Sequence, residues 1–240
     1  MKILVICLLM IIIANPSHAR IGSVPNAVVN EGQLRLTWRN AYNLDKEKKS
    51  LDNRLRSRVG LDYGITDNYA WLVMLQGQDL QGQSPDFSNI FFDQRLELTN
   101  SKDDAFYSGL RLRYEARILA NQPDITHIRF IIGKELDGWD FRFNQILGME
   151  VGGYRKGGMI IDTRFHVAYK YNEKHSMGME SFSNFGNVAT VHGYGNQSHT
   201  IGPTFFGALT DEINYETGYM AGVSKAAPAH SFYFGFAKDF

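Results

Sequence analysis

Apolar and polar residues alternate one by one over most of this chain, and this two-residue period is the feature that most restricts its fold. Between Ile161 and Tyr171, one set of alternate positions is mostly apolar, whereas the other set includes Asp162, Arg164 and Lys170. Because successive side chains of a β-strand point to opposite faces, the pattern predicts strands with one apolar and one charged face. A slip of one residue would exchange the two faces, so the register is strongly specified. The same scheme recurs at 53–63, 109–117 and 139–151.

Turn-forming residues divide the chain after residue 32 into about twelve such segments. No helical period competes after residue 20, and no repeat or break in composition marks a second domain. The sequence therefore predicts one all-β domain. Its strands are expected at 33–42, 53–63, 69–77, 89–99, 105–117, 125–133, 139–151, 159–171, 176–183, 199–209, 213–223 and 230–240.

The first 19 residues (1–19) are predicted to be a secretory signal peptide. An apolar run of 12 residues extends from Ile3 to Ala14, and the small residues Ser17 and Ala19 occupy the two positions that a signal peptidase reads. The run is shorter than the roughly 20 apolar residues of a membrane-spanning helix. Cys7, the one cysteine of the sequence, lies inside the run. The exported domain is therefore expected to be stable without a disulfide.

Composition excludes several classes of protein. Lys and Arg together number 25, as do Asp and Glu, so no basic excess is available to neutralise nucleic-acid phosphates. Aromatic residues make up 13% of the chain, which is too many for a disordered protein. No stretch beyond residue 20 reaches 18 apolar residues, so a bundle of membrane-spanning helices is excluded as well.

The alternation alone fits both a soluble β-sandwich and a membrane barrel with its apolar face on lipid. Three further features favour the barrel. The first is the signal peptide, which predicts export. The second is the strands themselves, which are even in number and whose lengths bracket the roughly 9–11 residues needed to cross hydrocarbon at a tilt. The third is the connections, which are short after even-numbered strands, whereas those after odd-numbered strands include the longer ones. This asymmetry is typical of outer-membrane barrels.

The last eleven residues, 230–240, place Phe232, Phe234, Phe236 and Phe240 on the same parity. This segment resembles the closing strand of Gram-negative outer-membrane β-barrel proteins, although Lys238 stands where that family usually has an apolar residue. The resemblance implies that the four phenylalanines form the signal read by the barrel-assembly machinery. It covers the general plan of residues 33–240 and identifies no subfamily.

Together these features predict that residues 20–240 form a transmembrane antiparallel up-and-down β-barrel of about 12 strands. The first strand is expected near residue 33 and the last at 230–240. The protein is expected in the outer membrane after export, with membrane lipids and the assembly machinery as partners and no nucleic acid. No cofactor and no metal site is predicted, and the oligomeric state is left open.

In such a barrel the charged face lines the lumen. The parity of the strands places 12 basic and 9 acidic side chains inside, and 11 of the basic ones are arginines. A guanidinium pairs in a bidentate manner with carboxylates or with anionic solutes. The candidate pore-lining residues are Arg56, Arg58, Arg95, Arg111, Arg113, Glu115, Arg129, Arg142, Asp162 and Arg164.

Such a lumen suggests two functions that are not enzymatic. The first is a narrow porin-like channel for small polar or anionic solutes. The second is a plugged structural or assembly barrel, in which arginines and carboxylates fill the interior. About 8 strands leave a filled interior and 16–18 an open channel, so a barrel of twelve strands lies between the two. A related hypothesis has the Gly-rich loop 191–199 folding inward as a constriction.

The third function is a lipid-modifying hydrolase, which would need a nucleophile, a base and an orienting group close together. Candidates are the neighbours Ser198 and His199 and the inward-facing His127 and His166. The His-x-Ser arrangement shown by outer-membrane phospholipases is absent from the sequence. We therefore expect no enzymatic activity and identify no catalytic residue.

Overall fold

The structure is a computed structural model that describes residues 21–47, 52–79, 86–99, 106–118, 120–190 and 193–240. The predicted signal peptide, 1–19, lies outside the described residues. In these ranges no helix has the length and apolar character needed to cross a membrane.

Twelve antiparallel strands form a closed up-and-down barrel, in which each strand pairs with its neighbours in sequence and β1 pairs with β12. The predicted fold class and number of strands are confirmed. The strands are β1 (Leu34–Leu44), β2 (Arg54–Gly64), β3 (Tyr69–Asp79), β4 (Asp86–Glu97), β5 (Phe106–Arg117), β6 (Asp124–Leu136), β7 (Trp139–Val151), β8 (Ile160–Lys170), β9 (His175–Asn187), β10 (Ser198–Ala208), β11 (Ile213–Gly222) and β12 (His230–Asp239).

Most strand ends lie within two residues of their predicted positions. The largest difference is β9, which extends to Asn187 instead of ending at 183. The extra residues are mainly polar and carry no alternation, so the sequence pattern could not reveal them. Backbone pairing with β8 nevertheless continues through them after an irregularity between Ile161 and Asp162.

The two ends of the barrel differ in the length of their connections. Connections of two to four residues occur at one end, at 65–68, 137–138, 171–174 and 209–212, together with the longer 98–105. We call this end the short-turn rim. The other end, the long-loop rim, has six connections of six to ten residues. The predicted asymmetry is therefore present, and β1 begins and β12 ends at the short-turn rim.

Large apolar side chains cover the outer face of the barrel. Trp71 is 55% exposed, and Phe232, Phe234 and Phe236 of β12 are each more than 40% exposed. Across the closing seam, the ring centroid of Trp38 lies 5.8 Å from that of Phe234 and 6.2 Å from that of Phe236. Aromatic pairs of this kind add about 0.5–1.5 kcal/mol beyond the area they bury. The reading of Phe232, Phe234, Phe236 and Phe240 by the assembly machinery stays a prediction.

Inside the wall, the ring of Tyr107 on β5 lies over Gly133 on β6. A Cβ atom at Gly133 would be 2.1 Å from Cζ of this ring. Tyr233 covers Gly218 of β11 in the same manner, with its Cε1 atom 2.5 Å from the position of such a Cβ. In each case the glycine has no side chain and so leaves room for a tyrosine ring against the wall. The two rings therefore fill part of the lumen without a steric clash.

We expect Gly133→Ala to destabilise the barrel, because the new methyl group must displace the Tyr107 ring. Overpacking of this kind costs about 1–3 kcal/mol. Equilibrium unfolding in urea of the protein refolded into detergent measures the effect. Gly153→Ala is the matched control, since nothing lies within 4 Å of its added Cβ. Equal stability of the two variants would contradict the described placement of Tyr107.

Candidate functional site

All ten candidate pore-lining residues lie on the inward face of the barrel. Five of them are buried, namely Arg56, Arg111, Glu115, Arg129 and Asp162, and the other five are half-buried. Their part in lining a path for solutes stays a prediction. Among the inward charges that the sequence analysis missed are Arg54, Glu135 and Asp239, which stand at the first residue or near the last residues of a strand.

The chain before β1 occupies the interior of the barrel, which the sequence analysis did not predict. This stretch, Ile21–Gln33, is called the inner segment here. Its residues Val24, Ala27 and Val29 are at most 1% exposed. Val24 packs against inward side chains of β1, β9, β11 and β12, and Ala27 packs against inward side chains of β5 and β6. Contacts with strands from all around the wall place the segment inside the barrel.

Polar side chains of the wall bind the backbone of the inner segment. The amide of Val24 donates to Oε1 of Glu180 over 2.8 Å, and Nη1 of Arg142 donates to the Val24 carbonyl over 2.9 Å. Nδ2 of Asn144 donates to the carbonyl of Pro25 over 3.1 Å. Backbone groups removed from water require such partners. The wall therefore replaces the hydrogen bonds that a neighbouring strand would provide.

Two further carboxylates bind the inner segment at other positions along its length. The amide of Val29 donates to Oε2 of Glu97 over 2.8 Å. The hydroxyl of Ser23 donates to Oε2 of Glu216 over 2.6 Å, and Oε1 of the same carboxylate pairs with Nε of Arg39 at 2.7 Å. Three inward carboxylates, Glu97, Glu180 and Glu216, thus bind the inner segment.

Glycines of the wall allow the close approach of the segment. A Cβ at Gly64 would be 1.9 Å from the carbonyl oxygen of Asn30, and one at Gly109 would be 2.6 Å from Cβ of Ala27. The segment then turns at Gly32, which has a φ of 72° and whose amide donates to the Gly64 carbonyl. This turn carries the chain from the lumen into β1.

Glu180 is the most completely enclosed carboxylate that contacts the inner segment, with 1% exposure. Besides the amide of Val24, it accepts the hydroxyl of Tyr233 at 2.7 Å and lies 2.9 Å from Nδ1 of His166. The Tyr233 hydroxyl also shares a hydrogen bond with Thr204. Since both carboxylate oxygens are engaged, Glu180 joins β8, β9, β10 and β12 to the segment.

Four arginines gather on the side of the lumen formed by β2, β4, β5 and β6. They are Arg58, Arg111, Arg113 and Arg129, and we call them the arginine cluster. Arg111 and Arg113 both bind the carboxylate of Asp93, which is 3% exposed. The guanidinium carbons of Arg58 and Arg113 lie 4.3 and 4.9 Å from the ring centroid of Phe91. Asp93 is therefore the carboxylate that two members of the cluster share.

Among the described residues, the inner segment and inward side chains fill much of the lumen. Several wall residues that point inward are almost inaccessible: Asn144 is 0%, Arg56 2% and Arg129 6% exposed. An open water-filled channel would expose them. Toward the short-turn rim there is a cavity of about 490 Å³ lined by Trp139, Lys170 and neighbouring residues, and a smaller one of about 100 Å³ beside the inner segment.

The hypothesis that the Gly-rich loop 191–199 constricts the lumen is wrong for its described part, 193–199. The ring of Tyr194 is 58% exposed and stacks on His199 with centroids 4.9 Å apart. His199 has the outward parity of β10 and also contacts the exposed Phe185. The described part of the loop therefore packs on the outside of the wall, and the inner segment occupies the lumen instead.

Nor do the candidate catalytic residues assemble. Within the described ranges, no serine hydroxyl lies within hydrogen-bond distance of the rings of His127, His166 or His199. His199 contacts Gln197 at 3.0 Å, and His127 lies 3.5 Å from Glu115. In the same part of the chain, no group of three or more His, Cys, Asp or Glu residues is arranged to hold a metal ion.

Comparison with known proteins gives likeness in fold alone. No protein-family model matches the chain, and no curated protein matches its sequence. The NanC porin superposes with a TM-score of 0.64 at 9% identity, over 85% of this chain and 100% of that one. The COG4313 outer membrane channel from Pseudomonas putida F1 superposes with a TM-score of 0.63 at 10% identity, over 91% and 97% of the two chains.

A third similar structure is the translocator domain of the autotransporter NalP from Neisseria meningitidis, with a TM-score of 0.51 at 12% identity over 88% of this chain and 89% of that one. Of the three, one is described as a porin and one as an outer membrane channel. The exposed apolar surface, the closed sheet and the likeness to these structures lead to one conclusion. This chain has the fold of the Gram-negative outer-membrane β-barrel proteins.

Proposed function

We propose that the protein is a narrow channel of the outer membrane for small anionic solutes, held closed by its inner segment. The observation that carries this proposal is the arginine cluster in the lumen. Arg58, Arg111, Arg113 and Arg129 lie together, and Asp93 is the carboxylate that two of them share. Basic groups gathered in this way attract anions once the segment leaves.

The nature of the obstruction favours a channel over a barrel filled by its own side chains. The inner segment is attached to the wall through a single turn at Gly32 and through individual hydrogen bonds. The glycines at 64 and 109 face it, so the wall leaves space that wall side chains do not fill. Withdrawal of the segment would leave a polar passage bordered by Arg142, Glu180 and their neighbours.

A permanently plugged structural barrel is the second candidate. The complete burial of Val24, Ala27 and Val29 favours it, because each such side chain adds hydrophobic stabilisation to the docked segment. The two candidates differ in one property. A channel conducts when the segment is released or removed and then selects for anions, whereas a structural barrel has no reason to select between ions.

Planar-bilayer recordings of the refolded protein lacking residues 21–30 test the proposal. In a gradient of KCl we expect discrete current steps and a reversal potential that is shifted toward the equilibrium potential of chloride. Arg58→Gln in the same background should move the reversal potential toward zero, because Arg58 contacts Gln76 and the Phe91 ring and loses its charge without breaking an ion pair seen in the described residues. Arg155→Gln, on an exposed loop, is the control. Cation selectivity, or no steps at all, would contradict the proposal.

A further inference from the structure

Three arginines of the wall lie directly opposite one another on adjacent strands. Arg95 of β4 pairs in register with Arg111 of β5, and Arg111 pairs with Arg129 of β6. Like charges in this arrangement have Cβ atoms about 4.5–5.5 Å apart and repel each other. Two of the three have carboxylate partners, since Asp62 lies 3.1 Å from Arg95 and Asp93 binds Arg111. The third arginine differs from them.

Arg129 is 6% exposed, and none of the described residues offers its guanidinium a hydrogen-bond acceptor or an ion-pair partner. On its other side it faces Ile146 of β7, which is 2% exposed. Arg164, Arg111 and Arg113 repel it, and the carboxylate that attracts it, Asp93, is already bound by two arginines. A buried guanidinium without a counter-charge is strongly unfavourable.

We propose that Arg129, with Arg111 and Arg164, binds a small oxyanion inside the barrel. The ligand is a carboxylate- or phosphate-bearing solute, whose paired oxygens match the fork of a guanidinium. A bound oxyanion supplies the charge that Arg129 lacks and screens the repulsion along the arginine row. The inference rests on the proposed function, for which this site is a binding station along the path of the solute.

Arg164 connects this site to the inner segment. Its Nε atom lies 3.1 Å from Oδ1 of Asp162, and its guanidinium carbon lies 5.7 Å from the ring centroid of Phe182. Five N–H donors allow a guanidinium to bind one carboxylate and a second anion at once. Phe182 itself packs against Val24 of the inner segment. The oxyanion site is therefore next to the part of the segment that closes the lumen.

Equilibrium dialysis of the full, detergent-solubilised protein against labelled phosphate or succinate, at constant ionic strength in chloride, tests the site. We expect saturable binding of at least one of the two, and the comparison shows whether phosphate or carboxylate is preferred. Arg129→Gln should weaken that binding at least tenfold. Arg35→Gln is the matched control, because Arg35 also points inward but lies at the short-turn rim and pairs with Asp239 at 2.5 Å. Its binding should equal that of the unmodified protein.

A second measurement separates an effect on oxyanion binding from an effect on the stability of the barrel. Without an oxyanion, Arg129→Gln should raise the urea midpoint of unfolding, because it removes an uncompensated buried charge. Addition of the bound oxyanion should raise the midpoint of the unmodified protein but not that of Arg129→Gln. Binding by Arg129→Gln equal to that of the unmodified protein, or no binding by either, would overturn the inference. So would a lower midpoint of Arg129→Gln in the absence of an oxyanion.

The experiments distinguish a failure of the channel proposal from a failure of the oxyanion-site proposal. If the barrel lacking residues 21–30 conducts anions while dialysis detects no Arg129-dependent binding, the oxyanion site is wrong and the channel stands. If binding depends on Arg129 but the truncated barrel never conducts, the protein is a plugged barrel that holds an oxyanion, and the channel is wrong.

Discussion

Val24→Asp should convert the closed barrel into a conducting one. Val24 is 0% exposed and lies among Ala41, Phe182 and Tyr233, with its own amide bound to Glu180. A carboxylate there would be buried beside Glu180, and the nearby guanidinium of Arg142 is already paired with Asp140. A cost of about 3 kcal/mol, at the low end for burying an unpaired charge, shifts the equilibrium between docked and released segment roughly 100-fold. Planar-bilayer recordings of the full-length variant measure the open probability.

Val28→Asp is the control for this experiment. Val28 is half-buried and lines the small cavity beside the inner segment together with Arg35 and Arg95. A carboxylate at this position has both solvent and cations within reach, so the segment should stay docked and the barrel closed. If both variants remain closed while the truncated barrel conducts, the hydrogen bonds to the wall dominate docking. If Val24→Asp stays closed and the truncated barrel does too, the segment is not the obstruction.

The largest loss of stability is expected from Asp93→Asn. The Asp93 side chain is 1% exposed and is the shared acceptor of Arg111 and Arg113. Its replacement leaves two buried guanidinium groups without their carboxylate and strengthens the repulsion with Arg129. Removal of one partner from a buried ion pair costs about 3–5 kcal/mol. Urea unfolding of the protein in detergent, followed by tryptophan fluorescence, gives the free energy of unfolding.

Glu212→Gln is the matched comparison for an exposed ion pair. Its carboxylate lies 3.8 Å from Nζ of Lys238, with side-chain exposures of 70% and 44%. Surface pairs of this kind contribute at most about 1 kcal/mol. A similar loss in the two variants would mean that water reaches Asp93 and that the lumen is more open than described.

The wall of the barrel could be predicted from sequence because each strand carries its own signal. A residue such as Arg111 is followed by Leu112 and then Arg113, and this alternation determines both the strand and the face of each side chain. Orientation relative to the membrane needed further signals, among them the row of phenylalanines that ends the chain. Strands without alternation, such as the polar end of β9, were predicted too short.

The inner segment could not be predicted in this way. Its apolar residues Val24, Ala27, Val28 and Val29 follow no period, and three of them are buried by side chains from strands far along the chain. The partners of Val24 are as distant as Glu180 and Tyr233. The available signal was a short apolar stretch with a proline between the predicted signal peptide and β1. The ion pairs within the lumen, such as those of Asp93 with two arginines, could not be predicted either. The alternation of residues gives the face on which a side chain lies but not its partner.

The contacts of the inner segment also link its position in the lumen to the completion of folding. Its contacts are distributed over strands from β1 at the start of the chain to β12 at its end, and Tyr233 of β12 helps to enclose Val24. The complete binding surface for the segment therefore does not exist until β12 has paired with β1. The segment can make all of its contacts only with a barrel whose wall is complete.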